Sequence, residues 1–282
     1  MVGIFADANT TEIVILGHGL TIPERSELAP GILLEPSAPK VDLVAASASS
    51  RNSRDYLASV TASELATFCL RVQSGTGKDL VERAWNALWL FHLLSLACAS
   101  PCFSLCAIAK GKSEIYSAAN RNVILGPLPV IAAASPAQIA WARESSAKFD
   151  RLVSDPAFSS AMRCYGNAHY LYDLDTRIML LWAGIEGLLA VDAELNRRVA
   201  LYAALMHKGS AEEKTAHFQA VKKAYAIRSR AVHGGKASPE KLKTGYQAAS
   251  SILVGLLARC VEIGRVPSAD ELDALAVAQN LV

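Results

Sequence analysis

Two residues near the end of one predicted helix, Arg228 and His233, have side chains suited to chemistry on a phosphate. An arginine is almost never buried without a partner, because desolvating a guanidinium costs several kcal/mol. At about 100° per residue, Arg228 shares a face with an apolar stripe made of Phe218, Val221, Tyr225 and Val232. Arg230 lies roughly opposite that stripe, where we expect solvent. The helical phase therefore selects Arg228 rather than Arg230 as the arginine with a specific role.

The partner that we predict for Arg228 is Glu186. Glu186 lies four residues after Trp182 and three before Leu189, at the edge of the apolar stripe of its own helix. An ion pair between Glu186 and Arg228 would satisfy both groups and hold the guanidinium in place. Two interpretations stay open, since the pair can belong to a reactive site or can simply join two helices.

His233 directly precedes Gly234–Gly235, a typical helix end. On an ideal helix its side chain would diverge from that of Arg228 by about 140°, so the two can meet around one phosphate only if the helix loosens at its end. A helix C-terminus favours imidazolium, which suits His233 to donating a proton. A histidine in this place can equally be a helix cap without a catalytic role.

Positive charge is concentrated around these residues. The chain has a formal charge of +2, but residues 221–243 alone carry an excess of +6 and the remainder carries −4. A basic patch on an otherwise mildly acidic protein favours contact with a polyanion, although a solvated helix face gives the same pattern. The candidate backbone-binding residues are Lys222, Lys223, Arg230, Lys236, Lys241 and Lys243.

Neither a metal site nor a cofactor is expected. The six cysteines form no CxxC pair, and reduced, largely buried thiols explain them. The uncharged stretch Ala84–Ala109 is long enough to span a bilayer. Asn86, His92 and Pro101 interrupt it, however, and favour a buried helix followed by a buried strand. The N-terminus lacks the features of a secretory signal, so we expect a cytoplasmic protein without membrane contact.

The first half of the chain has the pattern of an α+β region. Short apolar runs bounded by Gly and Pro predict strands, whereas longer runs predict helices. The Ser/Ala-rich segment Ala45–Arg54 suggests an exposed loop. Gly75–Lys78 fits a turn better than a phosphate-binding loop, because the first glycine and the hydroxyl residue of that motif are missing. The predicted strands are Glu12–Leu16, Gly31–Leu34, Cys102–Ala109 and Ser113–Ser117, and the predicted helices are Ala62–Val72 and Asp79–Ala99.

After Pro136 the strand patterns end and helical periodicity takes over. The short breaks between these amphipathic segments favour an antiparallel helical bundle. The chain as a whole is therefore predicted to be α+β, with a smaller mixed N-terminal region of unknown role (residues 1–135) and an all-α bundle (residues 136–282). The predicted helices are Gln138–Val153, Ala157–Leu171, Leu174–Val191, Ala193–Met206, Glu212–His233 and Pro239–Ile263.

Two segments of the bundle, LLWAGIEGLLAVDAELNRRVALYAALM (Leu180–Met206) and VKKAYAIRSRAVHGG (Val221–Gly235), resemble the Apea-like branch of the HEPN superfamily. The resemblance covers roughly residues 157–263, under half of the chain. Enzymes of this superfamily are metal-independent endoribonucleases with an R-x4-6-H motif, which Arg228 and His233 match here. Such sites are usually composite, with two protomers bringing their motifs together. Glu186 would fit the polar residue that often accompanies the arginine, whereas Asn196 and Arg197 are family-like residues that we interpret as structural.

The resemblance implies that the 2′-OH of RNA attacks the neighbouring phosphate and leaves a 2′,3′-cyclic phosphate. The implied protein is a homodimeric defence or toxin effector that cuts RNA, with tRNA as a reasonable substrate and a regulatory protein as a possible partner. An alternative is a catalytically silent HEPN module that binds RNA, a nucleotide or a protein. A third possibility is a dimerisation unit in which Arg228 and His233 only support the interface.

Overall fold

The computed structural model describes residues 3–73, 77–120, 130–232 and 238–278, and these residues form an α+β protein. The chain divides into two compact units, Met1–Ala147 and Lys148–Val282. The division falls within one helix, whereas the sequence suggested a boundary before that helix, at residue 135. Each unit is described separately below.

The first unit is built around a mixed set of strands and helices. In chain order these are β1 (Glu12–His18), β2 (Leu20–Thr21), β3 (Ser26–Ala29), β4 (Ile32–Glu35), α1 (Leu43–Ser49), α2 (Ser53–Leu65), β5 (Phe68–Gln73), α3 (Gly77–Ala97), β6 (Phe103–Lys110), β7 (Glu114–Ala118), β8 (Ala132–Ala133) and most of α4 (Pro136–Val153). Among the described residues, six strands form an antiparallel sheet in the order β3-β4-β5-β1-β6-β7, and β2 pairs with β8 in parallel.

Strand β1 lies in the interior of this sheet. Its residues Ile13–Leu16 are fully buried although they alternate between the two faces, and both α2 and α3 contact the strand. Arg71 of β5 fixes the register beside it, because its guanidinium lies 2.6 Å from Glu12 of β1 and 2.9 Å from Glu35 of β4. These are diagonal neighbours across adjacent strands, a position in which opposite charges stabilise a sheet.

Two predictions for this unit were wrong. The predicted helix Ala62–Val72 is in fact the end of α2 followed by β5, which lies between β4 and β1. A strand that is covered on both faces has a continuous apolar sequence, so periodicity cannot distinguish it from a buried helix. The predicted loop Ala45–Arg54 contains most of α1 and the start of α2, because Asp42 and Asn52 cap these helices with their side chains.

The predicted strands and the second predicted helix of the first unit are confirmed. The four predicted strands correspond to β1, β4, β6 and β7, and α3 occupies most of the predicted helix Asp79–Ala99. Of the predicted turn Gly75–Lys78, Gly77 and Lys78 form the start of α3, and the other two residues lie outside the described residues.

In the second unit, every described element is a helix. These are the end of α4, then α5 (Pro156–Ala168), α6 (Leu174–Leu188), α7 (Leu195–Met206), α8 (Ala211–Val232), α9 (Pro239–Ile263) and α10 (Ala269–Ala278). The predicted helices α4 to α9 are present with ends displaced by at most three residues, and α10 was not predicted. Among the described helices, α9 is the one long and apolar enough to cross a membrane by length and composition, and 44% of its apolar window is buried.

Helix α6 is central to the second unit, where it packs against α5, α8 and α9. Its apolar stripe is fully buried at Ile178, Leu181, Trp182 and Ile185. The close approach depends on Gly184, because a Cβ atom there would lie 2.9 Å from Cys164 on α5 and 3.1 Å from Leu253 on α9. Helix α6 is thus held firmly, and it presents Trp182 and Glu186 to α8.

Candidate functional site

A cluster of four side chains joins α6 to the last turns of α8. It consists of Trp182, Glu186, Tyr225 and Arg228 and is called the Arg228 cluster below. Trp182 is fully buried and meets the Tyr225 ring edge-on, with 5.1 Å between ring centroids. Tyr225 lies one turn before Arg228, whose guanidinium lies over the same ring at 5.3 Å. The two aromatic rings therefore form the support on which the arginine rests.

The ion pair predicted between Arg228 and Glu186 is present. Arg228 Nη2 lies 3.2 Å from Glu186 Oε1 and donates a hydrogen bond to Oε2 at 3.3 Å. The side chains are 21% and 17% exposed, so the pair is largely desolvated but can still be reached from solvent. The guanidinium therefore keeps part of its surface in contact with solvent.

Several buried polar atoms in this cluster have no hydrogen-bond partner among the described residues. Within the described part of the chain, Trp182 Nε1, Glu186 Oε1 and Arg228 Nε are buried and have no hydrogen-bond partner. Glu186 Oε1 is near the guanidinium but outside hydrogen-bonding geometry. Buried polar atoms are nearly always satisfied in folded proteins, and exceptions are concentrated at functional sites or where water is bound. Three unsatisfied atoms in one cluster favour a functional role.

The pKa of Glu186 also favours a functional role for the Arg228 cluster. Burial raises the pKa of Glu186, and the nearby Arg228 only partly offsets this. Desolvation therefore outweighs the attraction of Arg228 in setting the pKa of this carboxyl group. Perturbed carboxylates of this kind are typical of reactive sites.

We predict that Glu186→Gln will leave the free energy of unfolding at pH 7 within about 1 kcal/mol of the wild type, because a neutral isostere avoids the desolvation of the carboxylate. The raised pKa fixes the sign of the pH dependence. The stability of the wild type relative to the variant should fall as pH rises from the ordinary value of 4.5 through the raised value of Glu186. Urea unfolding at several pH values measures this difference. A loss above about 3 kcal/mol at every pH would instead make Glu186 a structural residue.

The predicted basic residues occupy two neighbouring regions. Lys223 and Arg230 on α8 are exposed, as are Lys241 and Lys243 in the first turns of α9, whereas Lys222 is half-buried with its ammonium 5.4 Å from the Phe218 ring. These turns of α9 lie beside the end of α8, because Gly245 contacts Ile227. His233 and Lys236 lie outside the described residues.

Not every notable polar residue was found from the sequence. Asn196 and Arg197 are exposed, and the neighbouring Arg198 makes the contacts instead, with hydrogen bonds to Tyr202 Oη at 2.6 Å and to Asp273 at 2.9 Å. The sequence also gave no reason to connect His207 with His217, whose rings stack in the structure. Loops separate Asp273 from Arg198 and His217 from His207 along the chain. The periodicity within one helix therefore could not reveal these contacts.

Comparisons with protein-family models, with curated proteins and with solved structures give no significant match for this chain.

Proposed function

We propose that the second unit is an HEPN-like antiparallel helical domain that cleaves RNA without a metal, with Arg228 and His233 as its reactive residues. The observation that carries this proposal is the largely buried but solvent-reachable ion pair that Glu186 makes with Arg228, which lies five residues before His233 in the sequence. The helix order and the RSRAVHG sequence at the end of α8 add the resemblance to the superfamily. Glu186 acts as a positioning residue, since it holds the guanidinium rather than the RNA.

The chemistry follows from the residue types. RNA supplies its own nucleophile, so the new bond forms between the 2′-oxygen and phosphorus while the bond between phosphorus and the 5′-oxygen breaks. One imidazole accepts the proton of the 2′-OH, and a second imidazole donates a proton to the leaving 5′-oxygen. A dimer supplies both, because each copy contributes one His233. Arg228 stabilises the negative charge that builds up on the phosphoryl oxygens.

Substrate binding in this proposal is mainly electrostatic. Lys223, Arg230, Lys241 and Lys243 contact backbone phosphates without reading sequence, together with Lys222 and Lys236. Unpaired loops, such as those of tRNA, are the preferred targets because their bases and sugars are accessible. We assign the protein to the cytoplasm as a defence or toxin effector that a regulatory protein restrains.

One observation favours a second candidate function. Glu186 already neutralises the guanidinium of Arg228 in the protein without RNA. A domain that only binds RNA would keep such a pair intact, whereas a nuclease must let the phosphate compete with the carboxylate. The second candidate is therefore a catalytically silent module that binds RNA through the same basic surface.

The deciding experiment is incubation of the purified full chain with tRNA and total RNA in excess EDTA. The proposal predicts cleavage that leaves 2′,3′-cyclic phosphate and 5′-hydroxyl ends, and it predicts that His233→Ala reduces the rate by about 100-fold or more. RNA binding without cleavage would support the silent module. Cleavage that EDTA abolishes, or that His233→Ala leaves intact, would contradict the proposed mechanism.

A further inference from the structure

A second cluster of polar side chains surrounds a cavity at the other end of α8. The cavity has a volume of about 180 Å³ and lies between the end of α7, the first half of α8 and the last turns of α9. Its polar lining consists of His207, Lys208, His217, Arg259 and Glu262, and it is called the histidine pocket below. None of these residues belongs to the Arg228 cluster or to the basic residues assigned to RNA binding.

The histidine pocket has more positive than negative charge. Lys208 Nζ lies 2.8 Å and Arg259 Nη1 lies 3.1 Å from the same oxygen of Glu262, Oε2. Although burial alone would raise it, these two hydrogen bonds lower the pKa of Glu262, so this carboxylate is ionised at neutral pH. One carboxylate thus balances two cations, and Lys148 Nζ donates a further hydrogen bond to the backbone carbonyl of Glu262 at 2.8 Å.

The two imidazoles of the pocket lie against each other. Their rings are stacked, with 4.4 Å between centroids and 8° between planes. Burial, followed by the proximity of His207, lowers the pKa of His217. On α8, Glu213 and Lys214 precede His217 by about one turn, and the carboxylate of Glu213 accepts a hydrogen bond from the backbone of Ser210. An anion between the pocket cations would favour the protonated form of His217.

A transition metal does not fit this arrangement. A metal ion binds an imidazole nitrogen in the plane of the ring, and no point lies in the planes of two parallel rings stacked in this way. In the part of the chain that the structure describes, no group of three or more histidine, cysteine or carboxylate side chains is arranged to hold a metal. The charge and geometry of the pocket suit an anion instead.

We infer that the histidine pocket binds a phosphate group with two negative charges, either inorganic phosphate or the terminal phosphate of a nucleotide or RNA. The cavity volume of about 180 Å³ is large enough for a tetrahedral oxyanion. A terminal phosphate would enter the pocket while its nucleoside stays outside. Arg259 and Lys208 supply charge-assisted hydrogen bonds, and each of the stacked imidazoles has an N–H group that can donate a further one.

The test is titration of the full chain with inorganic phosphate, sulfate and a nucleoside 5′-monophosphate at constant ionic strength, followed by calorimetry and by the imidazole NMR signals of His207 and His217. We expect saturable binding of all three. Sulfate remains a dianion throughout, so its affinity should fall as pH rises through the lowered pKa of His217, which lies below the ordinary value of 6.5. Tighter binding of the monophosphate would identify a terminal phosphate as the ligand, and tighter binding of phosphate would identify the free ion.

Two variants and one control make the result specific to the pocket. Arg259→Ala should weaken binding at least about tenfold. Gly255→Leu should abolish it without loss of stability, because Gly255 lines the cavity, a Cβ atom there meets nothing within 4 Å, and leucine favours helix more than glycine does. Arg163→Ala, which removes an exposed arginine on α5, should leave affinity unchanged. The inference is wrong if no binding saturates below about 10 mM, or if all three variants weaken binding equally. All of these titrations are made without RNA, so their outcome does not depend on whether the protein cleaves RNA.

Discussion

Arg228→Ala is expected to lower kcat for RNA cleavage by about 100- to 1,000-fold, the usual cost of removing one group that stabilises charge in a transition state. The effect should appear in kcat rather than in KM, because the guanidinium acts on charge that develops during the reaction. Rates measured in EDTA with a single tRNA substrate, over a range of concentrations, separate the two quantities.

A second variant on α8 is expected to have a different kinetic effect. Arg230 lies two residues away, is exposed and belongs to the proposed binding surface, so Arg230→Ala should raise KM a few-fold and leave kcat within about twofold. Arg163→Ala, on α5, serves as the inert control. Equal effects of Arg228→Ala and Arg230→Ala on kcat and KM would mean that both arginines merely attract RNA, and the catalytic assignment of Arg228 would then be lost.

Trp182→Ala should be the most destabilising single change in the second unit, at about 3–5 kcal/mol. Trp182 is fully buried on α6, and its ring supports Tyr225. Because domains of this size are stable by only about 5–15 kcal/mol, the variant should unfold at a much lower urea concentration. Circular dichroism during urea titration measures the loss.

A conservative variant separates the contribution of ring packing to stability from that of the indole nitrogen. Trp182→Phe keeps an aromatic edge against Tyr225 and removes the buried Nε1, which has no partner among the described residues. Its cost should be at most about half that of the alanine variant. A loss below about 1 kcal/mol for Trp182→Ala would show that this residue does not hold α6 against α8.

The sequence was sufficient to predict the Arg228–Glu186 contact. Both residues lie on apolar stripes, and the desolvation cost of an arginine requires a partner, so phase and electrostatics together selected the pair. The ends of α9 were likewise predictable, because Ser238 and Pro239 mark its start and Gly264 its end.

Contacts that depend on tertiary structure were not predictable. Strand β5 has the apolar sequence of a buried element, and only its position between β4 and β1 decides that it is a strand. The stacking of His207 on His217 depends on how the chain turns between α7 and α8. That turn includes Gly209 at φ +136°, a conformation that side-chain-bearing residues rarely adopt, and its direction cannot be inferred from periodicity.

Helix α8 runs without a break from Ala211 to Val232, which makes it a rigid spacer. His217 and Arg228 are eleven residues apart, which corresponds to a rise of roughly 16 Å and to about three full turns, so both project from nearly the same side of the helix axis. If the histidine pocket holds the terminal phosphate of an RNA, the scissile phosphate must lie at one fixed distance along the strand. The cut would then be measured from an RNA end, and the length of α8 would act as the ruler.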